Sequence, residues 1–200
     1  TDDIPRAAAE AVRLSTDGRP GPVVVQIPRD VSSMNTDAEI PNPSPRAVHV
    51  PDADMIAKAV TMIDAAKAPL VIAGEMISNQ NASTELTDFV AAGELPVMSA
   101  YRRLDVMANS HACYAGHLEI NRFESQLAAI EACDLVIAVG SRLDGITSAD
   151  ETMLCIGKQL IHIYPDPEIL DRFESDVAID SDMKPALDAL RRHLTPPDAQ

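Results

Sequence analysis

Four short apolar runs set the strongest limit on how this chain can fold. They are PLVIA at residues 69–73, LPVMSA at 95–100, DLVIAVG at 134–140 and QLIHIY at 159–164. Each run is nearly unbroken, whereas a strand with one face in water alternates apolar and polar residues. Unbroken runs of this length are typical of strands buried on both faces, as in parallel sheets covered by helices.

Helix start signals lie between and after these runs, each an acidic, amide or hydroxyl side chain ahead of an apolar stripe. The candidate caps are Asp52, Asn121, Asp166, and Ser181 or Asp182. Asn121 is followed by Glu124 in the manner of a capping box, and Asp166 precedes Pro167, which suits a first helical position. Strand therefore alternates with helix from about residue 52 to 194. We predict a doubly wound, Rossmann-like α/β domain with a parallel sheet of about six strands and helices on both faces.

The start of the chain departs from this rhythm. Residues 4–18 have a helical pattern, and PVVVQI at 22–27 predicts a buried strand with almost nothing before it in the chain to bury it. Residues 32–51 contain four prolines and no helical period, so we predict an extended linker there. We expect residues 1–31 to be the tail of another domain, 52–195 to be the α/β domain, and 196–200 to begin a further linker.

Composition excludes several classes of partner. The formal net charge of -15, with no stripe of Lys and Arg, argues against nucleic acid. No apolar run approaches the roughly 20 residues of a membrane span, and the first residues given do not show a basic segment followed by an apolar one, as a signal peptide would. The three cysteines, Cys113, Cys133 and Cys155, are widely spaced and suggest no disulfide framework. We expect a cytoplasmic protein without a membrane or nucleic-acid partner.

The order of the motifs resembles the acetolactate synthase, pyruvate oxidase and benzoylformate decarboxylase superfamily of thiamine diphosphate enzymes. DIPRAAAEAVRLSTDGRPGPVVVQIPRDV at 3–31 is similar to the end of the family's pyrimidine-binding domain. AAKAPLVIAGEMI, LPVMSAYRRLDVMANSHACYAGH, ACDLVIAVGSRLD, LIHIYPDPEIL and VAIDSDMKPALDAL follow in the order of its central domain. The resemblance covers nearly the whole chain and depends on this order rather than on any single motif.

The resemblance implies that the cofactor chemistry lies elsewhere in a longer parent. Family catalysis uses an upstream acidic residue against the aminopyrimidine and a downstream Gly-Asp-Gly motif with an Asn that holds Mg²⁺ and the diphosphate. Neither the upstream portion nor a Gly-Asp-Gly occurs in the 200 residues. We expect an excised middle piece with no catalytic residue, no metal site and no cofactor of its own. The parent is expected to be a lyase or transferase that uses thiamine diphosphate and Mg²⁺.

One candidate ligand site remains, at the carboxyl ends of the predicted strands, where open α/β sheets bind nucleotides. Its candidate residues are Gly74, Gly140, Ser141, Arg142, Asp144 and Asp166. In relatives that bind FAD or ADP, the residues matching Arg142 and Asp144 lie beside the nucleotide. The alternative is structural: Gly140 ends a strand and Arg142 pairs with a carboxylate.

Two departures from flavin-binding relatives disfavour FAD and ADP. AGEM keeps Gly74 but places Glu75 and Met76 where the relatives carry further glycines, and a carboxylate there would repel a diphosphate. In the long loop, Glu119 stands at the second glycine of the relatives' Gly-x-x-Gly pattern. Likewise, Tyr164 replaces the first acid of an Asp-x-Asp, while Asp166 is kept.

A metal site and a deacetylase activity fit the residues less well. His111, Cys113, His117 and Glu119 are metal-ligand types, but their spacing matches no established zinc pattern and the segment is predicted to be a loop. A sirtuin-like deacetylase would share the broad architecture, yet its paired zinc cysteines and Gly-Ala-Gly-x-Ser segment are not found.

The sequence thus predicts a noncatalytic central domain that joins the pyrimidine- and diphosphate-binding domains of its parent and contributes to a homo-oligomer. A regulatory module that binds ADP or FAD is the alternative.

Overall fold

The computed structural model describes residues 1–42, 45–150 and 154–195. The chain divides into two compact units, Thr1–Val48 and His49–Gln200. The division falls inside the predicted linker 32–51, and the predicted domain limits themselves remain a prediction. The predicted linker start at 196–200 lies outside the described residues.

The first unit contains one long helix. Helix α1 spans Ile4–Thr16 with Pro5 in its first turn, and Val31–Ser33 forms one turn of 3-10 helix. None of the residues of α1 is buried. The strand predicted at 22–27 is not formed, because a strand needs a hydrogen-bonded partner and the described part of this unit supplies none. Its valines are left in solvent, Val24 being 89% exposed.

The second unit is built on a six-stranded parallel sheet, as predicted. The strands are β1 (Pro69–Ala73), β2 (Val97–Ser99), β3 (Tyr114–His117), β4 (Leu135–Val139), β5 (Gln159–Tyr164) and β6 (Val177–Asp180). Their order across the sheet is β3-β2-β1-β4-β5-β6. This is the strand order of dinucleotide-binding Rossmann folds. In the central pair, Val71 lies beside Ile137 and Ala73 beside Val139.

Helices cover both faces of the sheet. They are α2 (Ala53–Ala65), α3 (Glu75–Asn79), α4 (Ser83–Ala92), α5 (Glu124–Ala132), α6 (Gly145–Ser148), α7 (Pro167–Leu170) and α8 (Met183–His193). One apolar cluster joins β1 through Val71 to α2, α4 and α8. The other joins β1 through Ile72 to Ile130 of α5. Successive residues of β1 thus enter different clusters on opposite faces of the sheet, which explains why the strand sequences are apolar without interruption.

Two of the predicted helix caps are formed as expected. The Asp52 carboxylate accepts from the N–H groups of Asp54 and Met55 at 2.8 and 3.2 Å. The Asp166 carboxylate accepts from the N–H of Glu168 at 3.0 Å, with Pro167 in the first turn. Both side chains satisfy N–H groups that a helix start leaves unpaired.

The predicted cap at Asn121 is wrong, because α5 begins two residues later than this cap implies. Phe123 stands at the cap position, and the side-chain oxygen of Gln126 accepts from its N–H at 3.1 Å. Gln126 is 5% exposed, and its amide nitrogen also donates to the carbonyl of His117 at 2.7 Å. Gln126, at the third position of the helix, therefore takes the capping-box role that the sequence pattern indicates for Glu124.

The side chain that caps α8 comes from outside this helix and is not that of the residue at the cap position. Asp182 occupies the cap position, but its carboxylate accepts from the N–H of His49 at 3.1 Å and the side-chain amide of Gln80 at 2.6 Å. The side-chain oxygen of Gln80 in turn accepts from the N–H of Met183 at 2.7 Å. Gln80 thus caps the helix, while Asp182 fixes the chain where the second unit begins.

The sequence predicts a loop for the long segment after β2, but part of this segment forms a strand. It contains β3, which pairs with β2 at the edge of the sheet with a shift in register between Val97 and Ser99. The β3 sequence YAGH lacks an apolar run because this edge strand is only partly buried. Among the described residues, no helix has both the length and the apolar character to cross a membrane.

Candidate functional site

The candidate site lies at the carboxyl ends of β1 and β4, the central strands of the sheet. From β1 the chain continues toward one edge of the sheet, and from β4 it continues toward the other. Open α/β sheets bind ligands in the crevice at such a reversal. We call this crevice, bounded by residues 74–76, 140–144 and 164, the switch point. It brings together Gly74, Gly140, Ser141 and Arg142 of the predicted site.

The backbone of the switch point is closely packed. The N–H of Gly74 donates to Val139 at 2.9 Å, and the N–H of Met76 donates to the Gly140 carbonyl at 3.0 Å. A Cβ on Gly74 would lie 2.3 Å from Ser141 Cα and 2.5 Å from the Gly140 oxygen. Real Cβ atoms essentially never come this close, so only glycine fits at position 74. The approach of the second turn therefore explains Gly74 without any ligand.

Gly140 is required for a different reason. Its φ of +63° lies in the left-handed region, which side chains rarely adopt. A Cβ there would also lie 2.9 Å from Met76 Cβ. Its N–H donates to the Ile163 carbonyl of the neighbouring strand at 2.9 Å. Both glycines thus serve the packing of the two turns.

Three side chains from different elements meet above these glycines. Arg142 Nε lies 2.8 Å from Glu75 Oε1, and the hydroxyl of Tyr164 donates to the same oxygen at 2.9 Å. The side chain of Glu75 is 12% exposed and that of Arg142 38%, while Tyr164 is fully buried. The structural alternative, in which Arg142 pairs with a carboxylate, did not identify Glu75 as that carboxylate. The contact with Tyr164 was not predicted, because strand β5 brings Tyr164 to a residue 89 positions earlier.

Ser141 is buried within the switch point, and its polar atoms are bonded inside the protein. It is 1% exposed, its hydroxyl accepts from the N–H of Leu143 at 3.2 Å, and its carbonyl accepts from His162 Nε2 at 2.8 Å. His162 is fully buried, and burial lowers its pKa below the usual 6.5, so the neutral ring donates through Nε2. Its Nδ1 has no hydrogen-bond partner in the part of the chain that the structure describes. The pair links β5 to the turn after β4.

The two predicted acidic residues of the site are engaged elsewhere. Asp144 caps α6 and accepts from the N–H groups of Ile146 and Thr147 at 3.1 and 3.0 Å. Asp166 caps α7, as described above. A capping carboxylate stabilises its helix and gives up lone pairs that would otherwise be open to a ribose. The structure therefore gives Asp144 and Asp166 structural partners.

The four side chains of metal-ligand type at residues 111–119 do not form one group. His117 Nε2 lies 2.8 Å from Glu119, while His111 Nδ1 accepts from the N–H of Cys113. Burial raises the pKa of the Cys113 thiol, which disfavours the thiolate that a metal would need. Within 1–42, 45–150 and 154–195, no three or more His, Cys, Asp or Glu side chains are grouped to hold a metal ion.

Comparison with protein families identifies the second unit. Residues 56–190 match the family described as "Thiamine pyrophosphate enzyme, central domain". This match spans more than half of the chain. The chain belongs to this family. The central domain that it describes coincides with the six-stranded sheet and its helices, so the predicted resemblance is confirmed.

Relatives of this central domain are found among larger proteins. The chain is 33% identical over 191 residues to the acetolactate synthase large subunit of Corynebacterium glutamicum, covering 93% of this chain and 30% of that protein. It is 29% identical over 193 residues to the glyoxylate carboligase of Escherichia coli O157:H7, covering 94% of this chain and 32% of that protein. The chain thus spans about a third of the length of these relatives.

Two solved structures support the fold alone. Benzoylformate decarboxylase from Polynucleobacter necessarius superposes with a TM-score of 0.80 at 20% identity, over 100% of this chain and 38% of that one. A protein from Mycobacterium smegmatis assigned as a thiamin diphosphate-dependent enzyme gives a TM-score of 0.79 at 24% identity, over 100% of this chain and 39% of that one. Both chains contain the whole architecture of this one within a larger protein.

The cofactor that names the family does not fit the residues at the switch point. A diphosphate needs unpaired backbone N–H groups or cationic side chains. Here the N–H groups of Gly74, Met76 and Ile77 all donate to backbone carbonyls, and Arg142 already faces Glu75. The central domain therefore lacks a ready diphosphate cradle at this position.

Proposed function

We propose that this chain is the noncatalytic central domain of a thiamine diphosphate enzyme that acts on 2-oxo acids, in the manner of its acetolactate synthase and glyoxylate carboligase relatives. Its role would be to join the pyrimidine- and diphosphate-binding domains of the parent and to contribute to contacts between subunits. Thiamine diphosphate and Mg²⁺ would be held by those other domains, and the parent would work as a cytoplasmic homo-oligomer.

The hydrogen bonding and the charge of the turn between β1 and α3 are the observation that supports this proposal. In a Rossmann fold this turn binds phosphates through bare N–H groups at the start of a helix. In this chain Met76 donates to Gly140 and Ile77 donates to Gly74, so these two N–H groups of the first turn of α3 are already paired. Its first residue, Glu75, adds a negative charge. A carboxylate about 4 Å from a phosphate costs roughly 1 to 4 kcal/mol, which weakens binding by one to three decades.

A nucleotide-binding regulatory module is the second candidate, favoured by one observation. The Arg142 side chain is 38% exposed at the mouth of the switch point, where a phosphate could reach it. This candidate requires Glu75 to leave both Arg142 and Tyr164. The paired N–H groups of the turn would still give a diphosphate no backbone cradle.

Calorimetry distinguishes the two candidates. The purified chain is titrated with thiamine diphosphate and Mg²⁺, then with ADP and FAD, alongside Arg142→Ala and the control Arg191→Ala at the far end of α8. We expect no saturable binding of thiamine diphosphate or FAD, and ADP binding no tighter than about 1 mM, near -4 kcal/mol. Micromolar thiamine diphosphate binding, a yellow preparation, or ADP binding below about 50 µM that only Arg142→Ala removes, would refute the proposal.

A further inference from the structure

The contact set around Glu75 has the make-up of a small-anion site. Arg142 supplies a positive charge 2.8 Å from Oε1, and Tyr164 supplies a hydroxyl donor 2.9 Å from the same atom. A cation and a neutral donor that converge on one carboxylate oxygen are a common way to bind a carboxylate or phosphate. The ligand in this case belongs to the chain itself.

Burial makes the contact with this occupant costly to break. Tyr164 is fully buried and donates its hydroxyl to Glu75, so removal of Glu75 would take away a buried hydrogen bond. Arg142 would likewise lose its counterion at a partly buried position. Within the described residues, Glu75 is the one carboxylate that forms an ion pair with Arg142.

The geometry of the ion pair leaves room for a stronger contact. Arg142 Nε lies 2.8 Å from Glu75 Oε1 but forms no hydrogen bond within the described residues, whereas arginine binds anions best through two parallel N–H groups. A free anion is not tethered to the start of α3 and can turn to meet the edge of the guanidinium group. It would be held by side chains, so the paired N–H groups of Met76 and Ile77 would not oppose it.

We propose, on the basis of the proposed function in which no nucleotide occupies this turn, that the switch point is a small-anion site that the chain fills with the Glu75 carboxylate. Arg142 and Tyr164 are its binding residues. The ligand class is a small carboxylate or a phosphate ion, because the closely packed turn offers no second anchor for a nucleotide. Glu75 acts as a built-in ligand that closes the site.

Chemical rescue tests this proposal. Glu75→Ala vacates the site, and formate or inorganic phosphate is then supplied as the probe while thermal unfolding is followed against chloride at equal ionic strength. We expect formate to raise the midpoint of Glu75→Ala and to bind it at least tenfold more tightly than the wild type. The double variant Glu75→Ala/Arg142→Ala should show no such rise. Glu75→Gln, which fills the site with a neutral group, should also not respond.

Glu85→Ala is the matched control. Glu85 is a partly buried carboxylate on α4 that lies 3.5 Å from Lys184. Its removal also breaks an ion pair but vacates no site with a buried tyrosine, so formate should not affect it. If Glu75→Ala does not fold, Glu75→Ser and refolding yields with and without formate provide the same comparison.

The outcomes separate the two proposals. Absence of a formate or phosphate response in both Glu75→Ala and Glu75→Ser, or an equal response in Glu85→Ala or in the double variant, overturns the anion site. Nucleotide or flavin binding by the wild type would instead overturn the proposed function. A wild type that binds no nucleotide, with rescue confined to the vacated site, supports both.

Discussion

Replacing Gly74 with alanine should destabilise the second unit through lack of space alone. The backbone at this position, φ -115° and ψ -164°, is open to any residue, so the change adds no dihedral strain. The new methyl would lie 2.3 Å from Ser141 Cα, 2.5 Å from the Gly140 oxygen and 2.6 Å from Ser141 Cβ. Overpacking costs roughly 1 to 3 kcal/mol, and the loss of unfolded-chain entropy offsets only about 0.4 to 1 kcal/mol. The upper end of the overpacking range applies because backbone atoms cannot swing aside, so we expect a net loss of about 2 kcal/mol.

Urea unfolding followed by circular dichroism measures this loss, because the chain has no tryptophan to report by fluorescence. Gly93→Ala is the control. A methyl there would lie 3.0 Å from Leu95 Cγ and 3.3 Å from Leu194 Cδ1, the far ends of flexible side chains. It should cost less than about 1 kcal/mol. The packing argument is refuted if Gly74→Ala stays within about 0.5 kcal/mol of the wild type, or if both variants lose equal stability.

Two further predictions concern pH and association. Burial lowers the pKa of His162 below 6.5, so the unfolded chain binds a proton before the folded one, and stability should fall as the pH drops below 6.5. His162→Gln should show a shallower loss from about pH 7.5 to 5.5, and equal slopes would contradict this. The exposed apolar segment at 22–27 should make the intact chain dimeric or larger by light scattering, and deletion of residues 1–45 should lower the mass. A monomer whose amides at 22–27 resist hydrogen exchange would contradict it.

The parallel sheet could be predicted from sequence because its signal is local. The runs at β1, β4 and β5 are apolar on both faces, and Asp52 and Asp166 mark helix starts within a few residues. Edge strand β3 was missed since its sequence YAGH is only partly buried and lacks an apolar run. The strand expected at 22–27 has the composition of a strand, but hydrogen bonding needs a partner that the described part of its unit does not provide.

Cap exchanges were beyond local pattern for a related reason. Asp182 stands at the cap of α8, yet its carboxylate holds His49 and Gln80, which lie 133 and 102 residues away along the chain. At the start of α5, Gln126 accepts the hydrogen bond from the cap residue, although from the sequence alone Glu124 fits the capping-box motif equally well. A motif names residue types near a helix start, whereas tertiary contacts decide which of them is used.

The same distinction explains the candidate site. The glycines and Arg142 meet at the ends of β1 and β4, because fold topology alone determines where those ends lie. Glu75 was recognised as an obstacle to a diphosphate from its charge. Its pairing with Arg142 and Tyr164 joins residues 67 and 89 positions apart, so only the packed sheet reveals that the arginine expected to attract a ligand faces a carboxylate of its own chain. A positive side chain at a switch point therefore indicates a ligand only when no internal carboxylate reaches it first.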